Sequence, residues 1–130
     1  MKNSIVIAAG GAVGTLLRYS IQHIPLPIPA ADRPVLTLLI NISGSFLLGF
    51  LAIFFVRLVP VPPVVRHGLI TGLLGGYTTF STFCKDTVLF CQNGSMLSAV
   101  CYLAATVLFG LAAAWVGILF AEAMERRAEL

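Results

Sequence analysis

Four long apolar runs decide what this chain can fold into. They cover about Ser4–Ile24, Val35–Val56, Val64–Cys91 and Met96–Ala121 of 130 residues. The second and fourth contain no charged residue. About 20 mainly apolar residues in a helix cross the hydrocarbon core of a bilayer. A water-soluble domain needs a polar coat, and this chain has only eight Lys/Arg and five Asp/Glu against 58% apolar residues. Soluble domains average about 45–50% apolar and ~25% charged. A soluble enzyme and a disordered chain are therefore excluded, as is a large aqueous catalytic domain. The fold class expected is an all-α integral membrane protein, a single four-span domain with almost no mass outside the membrane.

The connections fit that layout. Pro25–Pro34 holds Pro25, Pro27, Pro29 and Pro34, Val59–Pro63 holds three prolines, and Gln92–Ser95 carries Asn93-Gly94. Proline lacks an N–H and fixes φ, and Asn-Gly favours tight turns, so these segments read as short irregular links. A leader-peptide reading of the first run is disfavoured, because the run continues through Arg18 and three further spans follow. Lys2, Arg57, Arg66, Arg126 and Arg127 fall on one side of a four-span chain, leaving Arg18, Arg33 and Lys85. Five against three is a weak positive-inside bias that permits insertion in either orientation. The basic residues are spread singly, which speaks against nucleic acid as a partner. Cys84, Cys91 and Cys101 form no CxxC pair and read as small apolar residues, not as metal ligands or a disulfide framework.

Polar groups inside a membrane are costly, so each calls for a reason. Asn41 lies early in the second run with Ser45 one helical turn on. Its amide offers two N–H donors, and two readings stay open: an interhelical hydrogen bond or a donor lining a path. The third run contains Gly72-Leu-Leu-Gly75-Gly76-Tyr77-Thr78-Thr79-Phe80-Ser81-Thr82-Phe83. Gly75-Gly76 followed by two threonines is a poor helix, so an interruption is expected over Gly75–Thr79. A break at membrane depth survives only where protein or water surrounds it, and its freed carbonyls can hold a cation. A helix resuming at Phe80 puts Phe80 and Phe83 on one face, with hydroxyls from Thr79, Ser81 and Thr82 beside them. Taken alone, two such rings are ordinary packing residues. Gly10 and Gly14, and then Gly68, Gly72 and Gly76, repeat at four-residue spacing, which favours close backbone contact in a tight bundle or dimer. Arg18, near the end of the first run, reads either as a side chain snorkelling to the interface or as an anion attractor at a vestibule. Asp86 is the only carboxylate within the four runs. Proton-coupled antiport needs a buried exchanging carboxylate, and its absence from the other spans points to passive movement.

These motifs resemble the small bacterial fluoride channels of the Fluc/CrcB family. The resemblance rests on Gly10-Gly11-Ala-Val-Gly14-Thr-Leu-Leu-Arg18-Tyr19, on Asn41 with Gly44 and Gly49, and above all on Gly75-Gly76-x-Thr78-Thr79-Phe80-Ser81-Thr82-Phe83. It covers essentially the whole chain. It implies a passive, fluoride-selective channel, not an enzyme, in a bacterial inner membrane. It also implies an antiparallel, dual-topology homodimer with two pores at the subunit interface. A structural sodium ion at the dimer centre would be held by the carbonyls of Gly75 and Thr78. Asn41, Phe80 and Phe83 map onto the family's pore residues. Ser81, Thr82, Thr79 and Thr106, with Tyr102 one turn before it, are the further pore candidates.

The chemistry is coherent with that assignment. Fluoride is small and strongly hydrated, so a pore must replace its water with N–H and O–H donors. Phenyl ring edges carry partial positive charge, and a fixed cation lowers the cost of an anion in low dielectric. Two departures stand out. Cys84-Lys85-Asp86 replaces a small residue and, two further on, Glu; in the fourth run Gly110 and Ala114 follow Thr106, which shortens the hydroxyl track. Two alternatives remain: a partner-dependent subunit of a heteromeric fluoride channel, and a small multidrug-type transporter. The latter needs a membrane Glu in the first span, and Ile5–Leu17 has none.

Overall fold

The computed structural model describes residues 2–25, 27 and 33–128, and among them there are helices and turns but no strand. Helix α1 is Lys2–Gln22. Helix α2 is Pro34–Ile53 and continues through a wider, π-type turn, Phe54–Leu58. The third segment is composite: α3, Pro63–His67, a π-type stretch Gly68–Leu74, α4, Gly75–Tyr77, and then α5, Phe80–Gln92. Helix α6 is Met96–Ala128. Pro34 and Pro63 each sit in a first helical turn, where the missing N–H is harmless. Gly94 has φ of 73°, the left-handed conformation that the Asn93-Gly94 turn requires. The irregular connection expected over Pro25–Pro34 lies largely outside the described residues.

Two pairs of parallel helices build the molecule. Helix α1 runs alongside α3 and α4, and contacts advance together along both: Val6 meets Gly68, Ile7 meets Gly72, Gly11 meets Gly76, and Gly14 meets Leu73 and Tyr77. Helix α2 runs alongside α6 in the same way, with Ser45 opposite Gly110, Gly49 against Ala114 and Phe46 and Phe50 against Gly117. A Cβ on Gly14 would collide with the Leu73 carbonyl oxygen, and one on Gly117 with that of Phe46. The glycines are what lets the backbones approach this closely, and the four-residue spacing read from the sequence marks the α1 face. Helix α5 runs antiparallel to α2: Thr37 meets Asp86, and one turn further along α2, Asn41 meets Thr79. At the far end of α2, Arg57 donates to Glu125 at 3.2 Å and lies 4.0 Å from Glu122.

Among the described residues, three helices are long and apolar enough to cross a membrane: Asn3–Gln22, Pro34–Leu58 and Met96–Ala128. The third segment is divided, and neither piece is long enough alone. Helix α6, with 33 residues, is about 50 Å long at 1.5 Å per residue, well beyond the ~30 Å hydrocarbon thickness. Its charged end, from Glu122 to Arg127, is the part that reaches past the apolar stretch. Most large apolar side chains on α1 and α6 are exposed, as lipid-facing or partner-facing surfaces require.

Candidate functional site

The chain leaves helical geometry at Thr78 and Thr79, later than the glycine pair suggests. Gly75 and Gly76 remain helical, Thr78 has ψ of 158°, and Thr79 has φ −146° and ψ 113°. The cause lies on another helix. The Thr79 N–H donates to Asn41 Oδ1 at 2.8 Å, and Asn41 Nδ2 donates to the Thr79 carbonyl at 3.0 Å. One side-chain amide thereby satisfies both backbone groups of an extended residue, which a buried break otherwise leaves orphaned. In an unbroken helix the Thr79 N–H would donate to the Gly75 carbonyl. The Thr78 N–H and hydroxyl both donate to Leu74 O at 3.0 Å, closing α4.

Thr79 also starts the next helix. Its hydroxyl accepts from the Thr82 N–H at 3.1 Å, an N-cap for α5. The same hydroxyl donates to Thr82 Oγ1 at 2.9 Å and lies 3.3 Å from Ser81 Oγ. Arg18 reaches the break from α1, donating to the Thr78 carbonyl at 3.4 Å. Its guanidinium is turned to the interruption in the chain. Ser43, half a turn past Asn41, lies 3.0 Å from the Tyr77 hydroxyl. The structure therefore brings Arg18, Asn41, Thr78, Thr79, Ser81 and Thr82 together around one point.

The two phenylalanines differ. Their ring centroids are 5.8 Å apart, on the shared face expected from their spacing. Phe83 is 8% exposed and packs on Tyr102, centroid to centroid 5.5 Å. Phe80 is 77% exposed and projects from the protein surface. Tyr102 also meets Phe90 edge-on, and its hydroxyl is buried without a hydrogen-bond partner among the described residues. The Thr106 hydroxyl donates to the Tyr102 carbonyl of its own helix at 2.8 Å. A free hydroxyl on α6 beside Phe83 is thus supplied by Tyr102 and not by Thr106.

A cavity of about 610 Å³ opens near the start of α2, lined by Gln22, Arg33, Thr37, Thr82, Lys85 and Asp86 among others. Asp86 is buried; Thr37 Oγ1 donates to its Oδ2 at 3.1 Å, and Lys85 lies 3.2 Å from its Oδ1. Sequence reading passed over Thr37 and Tyr77. Thr37 precedes Asn41 by four residues and shares its helix face, a signal present in the sequence, whereas the reach of Tyr77 to Ser43 depends on packing alone.

The two carbonyls expected to hold a cation differ in how the break leaves them. Gly75 is exposed, its helical N–H partner is diverted to Asn41, and nothing lies within 4 Å of the position a Cβ would take. The Gly75 carbonyl fits. The Thr78 carbonyl is freed by the break and already accepts one hydrogen bond, from Arg18; its second lone pair remains for another partner.

Over residues 5–118 the sequence matches the family described as CrcB-like protein, Camphor Resistance (CrcB). The chain belongs to the CrcB family. The matched region runs from the first turn of α1 into the second half of α6 and takes in every residue of the break. Curated relatives cover nearly the same length. A fluoride-specific ion channel FluC from Rhizobium meliloti (strain 1021) is 39% identical over 124 residues, 95% of this chain and 99% of that protein. One from Hydrogenobaculum sp. (strain Y04AAS1) is 41% identical over 109 residues, 83% and 88% of the two chains. One from Allorhizobium ampelinum is 40% identical over 118 residues, 91% and 94%.

Proposed function

We propose that this CrcB-family chain is a passive fluoride-selective channel, exporting fluoride from the bacterial cytoplasm across the inner membrane. The observation that carries the reading is the polar break. Hydroxyls and an amide gather around Thr79 inside an otherwise apolar helical protein, beside an aromatic pair. Membrane proteins place such groups where something polar passes or binds. Full-length relatives named fluoride-specific ion channels supply the identity of the ion. Asn41 retains one N–H beyond the bond to Thr79, and Ser81, Thr82 and Tyr102 add O–H donors. Phe80 and Phe83 turn partly positive ring edges toward an anion.

In this reading the divided third segment completes a fourth crossing. The alternating chain directions support it, since α1 parallels α3–α4, α2 parallels α6, and α5 runs against α2. A second copy, inserted antiparallel, covers the apolar groove of about 800 Å³ that lies between Ile21, Leu39, Phe46, Tyr77 and Val116. It also covers the exposed Phe80 ring, so that both pores lie at the dimer interface. The carbonyls of Gly75 and Thr78 would hold the structural sodium ion, whose fixed charge lowers the cost of an anion at membrane depth. Arg18, reaching toward the same break, adds positive charge on the approach.

Fluoride efflux from liposomes containing this chain alone tests the proposal, with valinomycin as a potassium shunt and chloride as control. Potential-driven release of fluoride without chloride is expected. Absence of release from folded, dimeric protein overturns the self-sufficient channel and leaves the partner-dependent subunit, for which candidate partner chains are then mixed in. Phe80→Ala is expected to cut release while each subunit still folds, because within its own subunit the ring meets Phe83 and is otherwise open.

A further inference from the structure

The cavity bounded by α1, α2 and α5 presents a contradiction for an anion. Asp86 faces it from α5, 7% exposed, so its carboxylate is poorly screened by water. A bare buried carboxylate at the mouth of an anion path would repel the ion. The structure supplies two contacts to it. Thr37 Oγ1 donates to Oδ2 at 3.1 Å, and the Lys85 ammonium lies 3.2 Å from Oδ1. The hydroxyl carries no net charge; only Lys85 cancels the acid. Lys85 is itself largely exposed, at the rim of the cavity, where it meets bulk ions first. Arg33 lines the same cavity from the start of α2, and Gln22 and Asn93 add amides. His23 also borders it, with Nδ1 donating to Tyr19 O at 2.8 Å.

Resting on the channel reading above, we propose that this cavity is an anion-entry vestibule whose charge is set by the Lys85–Asp86 pair. With Lys85 present, the described charges lining the cavity sum to one excess positive charge, from Arg33. Without it, Asp86 offsets Arg33 and the attraction for fluoride is lost. Lys85 is a positioning and charge-setting residue: it acts on the ion through the field at the entrance and through Asp86, and forms no part of the polar break at Thr79.

The test is fluoride efflux from liposomes at low and high concentrations of an impermeant salt, for the wild type, Lys85→Gln, Lys85→Arg and Lys85→Gln/Asp86→Asn. Electrostatic steering of this kind changes entry rates by tenfold or more at low salt and fades on screening. Lys85→Gln is expected to slow release about threefold or more at low salt, with the gap closing at high salt. Lys85→Arg is expected to rescue the rate. The double variant is also expected to recover, since the unpaired carboxylate has gone. Equal rates for the wild type and Lys85→Gln at low salt overturn the proposal. So does a salt-independent deficit, or a double variant as slow as the single one, since either makes Lys85 structural. A wild type that conducts nothing overturns the channel reading itself, and this proposal with it. Elution as a dimer in size-exclusion chromatography separates slow from misfolded variants, and rescue by the double variant excludes a folding defect directly.

Discussion

The α1/α3–α4 pair and the α2/α6 pair use the same device to different ends. Both bring parallel backbones together through glycine, Gly10, Gly14, Gly72 and Gly76 in one and Gly49 and Gly117 in the other. Yet α2 and α6 stay continuous, whereas the third segment opens at Thr78–Thr79. Glycine therefore accounts for proximity and not for the break. Gly75 and Gly76 are helical, and Gly76 is fixed against Gly11. The break belongs to Asn41, which replaces the helical partners of Thr79, and to Thr79, which caps the helix that follows.

That comparison is sharpest where substitutions separate proximity from interruption. The largest effect is expected from Gly14→Val or Gly117→Val, each of which drives a side chain into a neighbouring backbone carbonyl. Overpacking a core by a methylene costs about 1–3 kcal/mol; here a branched side chain meets a backbone carbonyl that cannot turn aside, so the cost exceeds that range and loss of folded protein in size-exclusion chromatography is expected from either pair alike. A folded Gly14→Val would break the claim that the two interfaces are equivalent. Phe83→Ala is next, since it empties a site against Tyr102. A large aromatic truncation in a core costs roughly 3–5 kcal/mol, to be read from the thermal midpoint and to contrast with Phe80→Ala.

Asn41→Ala then leaves the N–H and C=O of Thr79 unpaired, at about 1–3 kcal/mol for each orphaned group. Fluoride release is expected to fall strongly while the protein stays folded. Unchanged release would remove Asn41 from the pathway. Thr79→Val deletes the N-cap of α5, worth about 1 kcal/mol, and is expected to lower the thermal midpoint modestly. Gly75→Ala is the smallest: no atom lies within 4 Å of the added methyl, and the midpoint is expected to hold. Its contrast with a damaging Gly76→Ala, two neighbouring glycines with opposite outcomes, would show that packing on α1 and not helix propensity governs this stretch.

Much of the molecule is written in its sequence. Runs of apolar residues, prolines at their ends and Asn93-Gly94 fix where helices begin and stop, because membrane burial and backbone hydrogen bonding act locally. The observed Lys2–Gln22, Pro34–Ile53 and Met96–Ala128 lie close to the expected spans. The glycine spacing exposed one close interface, and Gly75-Gly76 followed by Thr78-Thr79 exposed the region of the break. What tertiary structure decided is which groups meet. Asn41 left two readings open, and only the placement of α2 beside Thr79 turned its amide into a clamp on the backbone. Arg18 could reach water or the interior; it reaches Thr78. Phe80 and Phe83 are indistinguishable by spacing, but α6 covers one and leaves the other open. Hydrogen-bond partners 38 or 60 positions apart depend on how helices cross, and no local pattern encodes that.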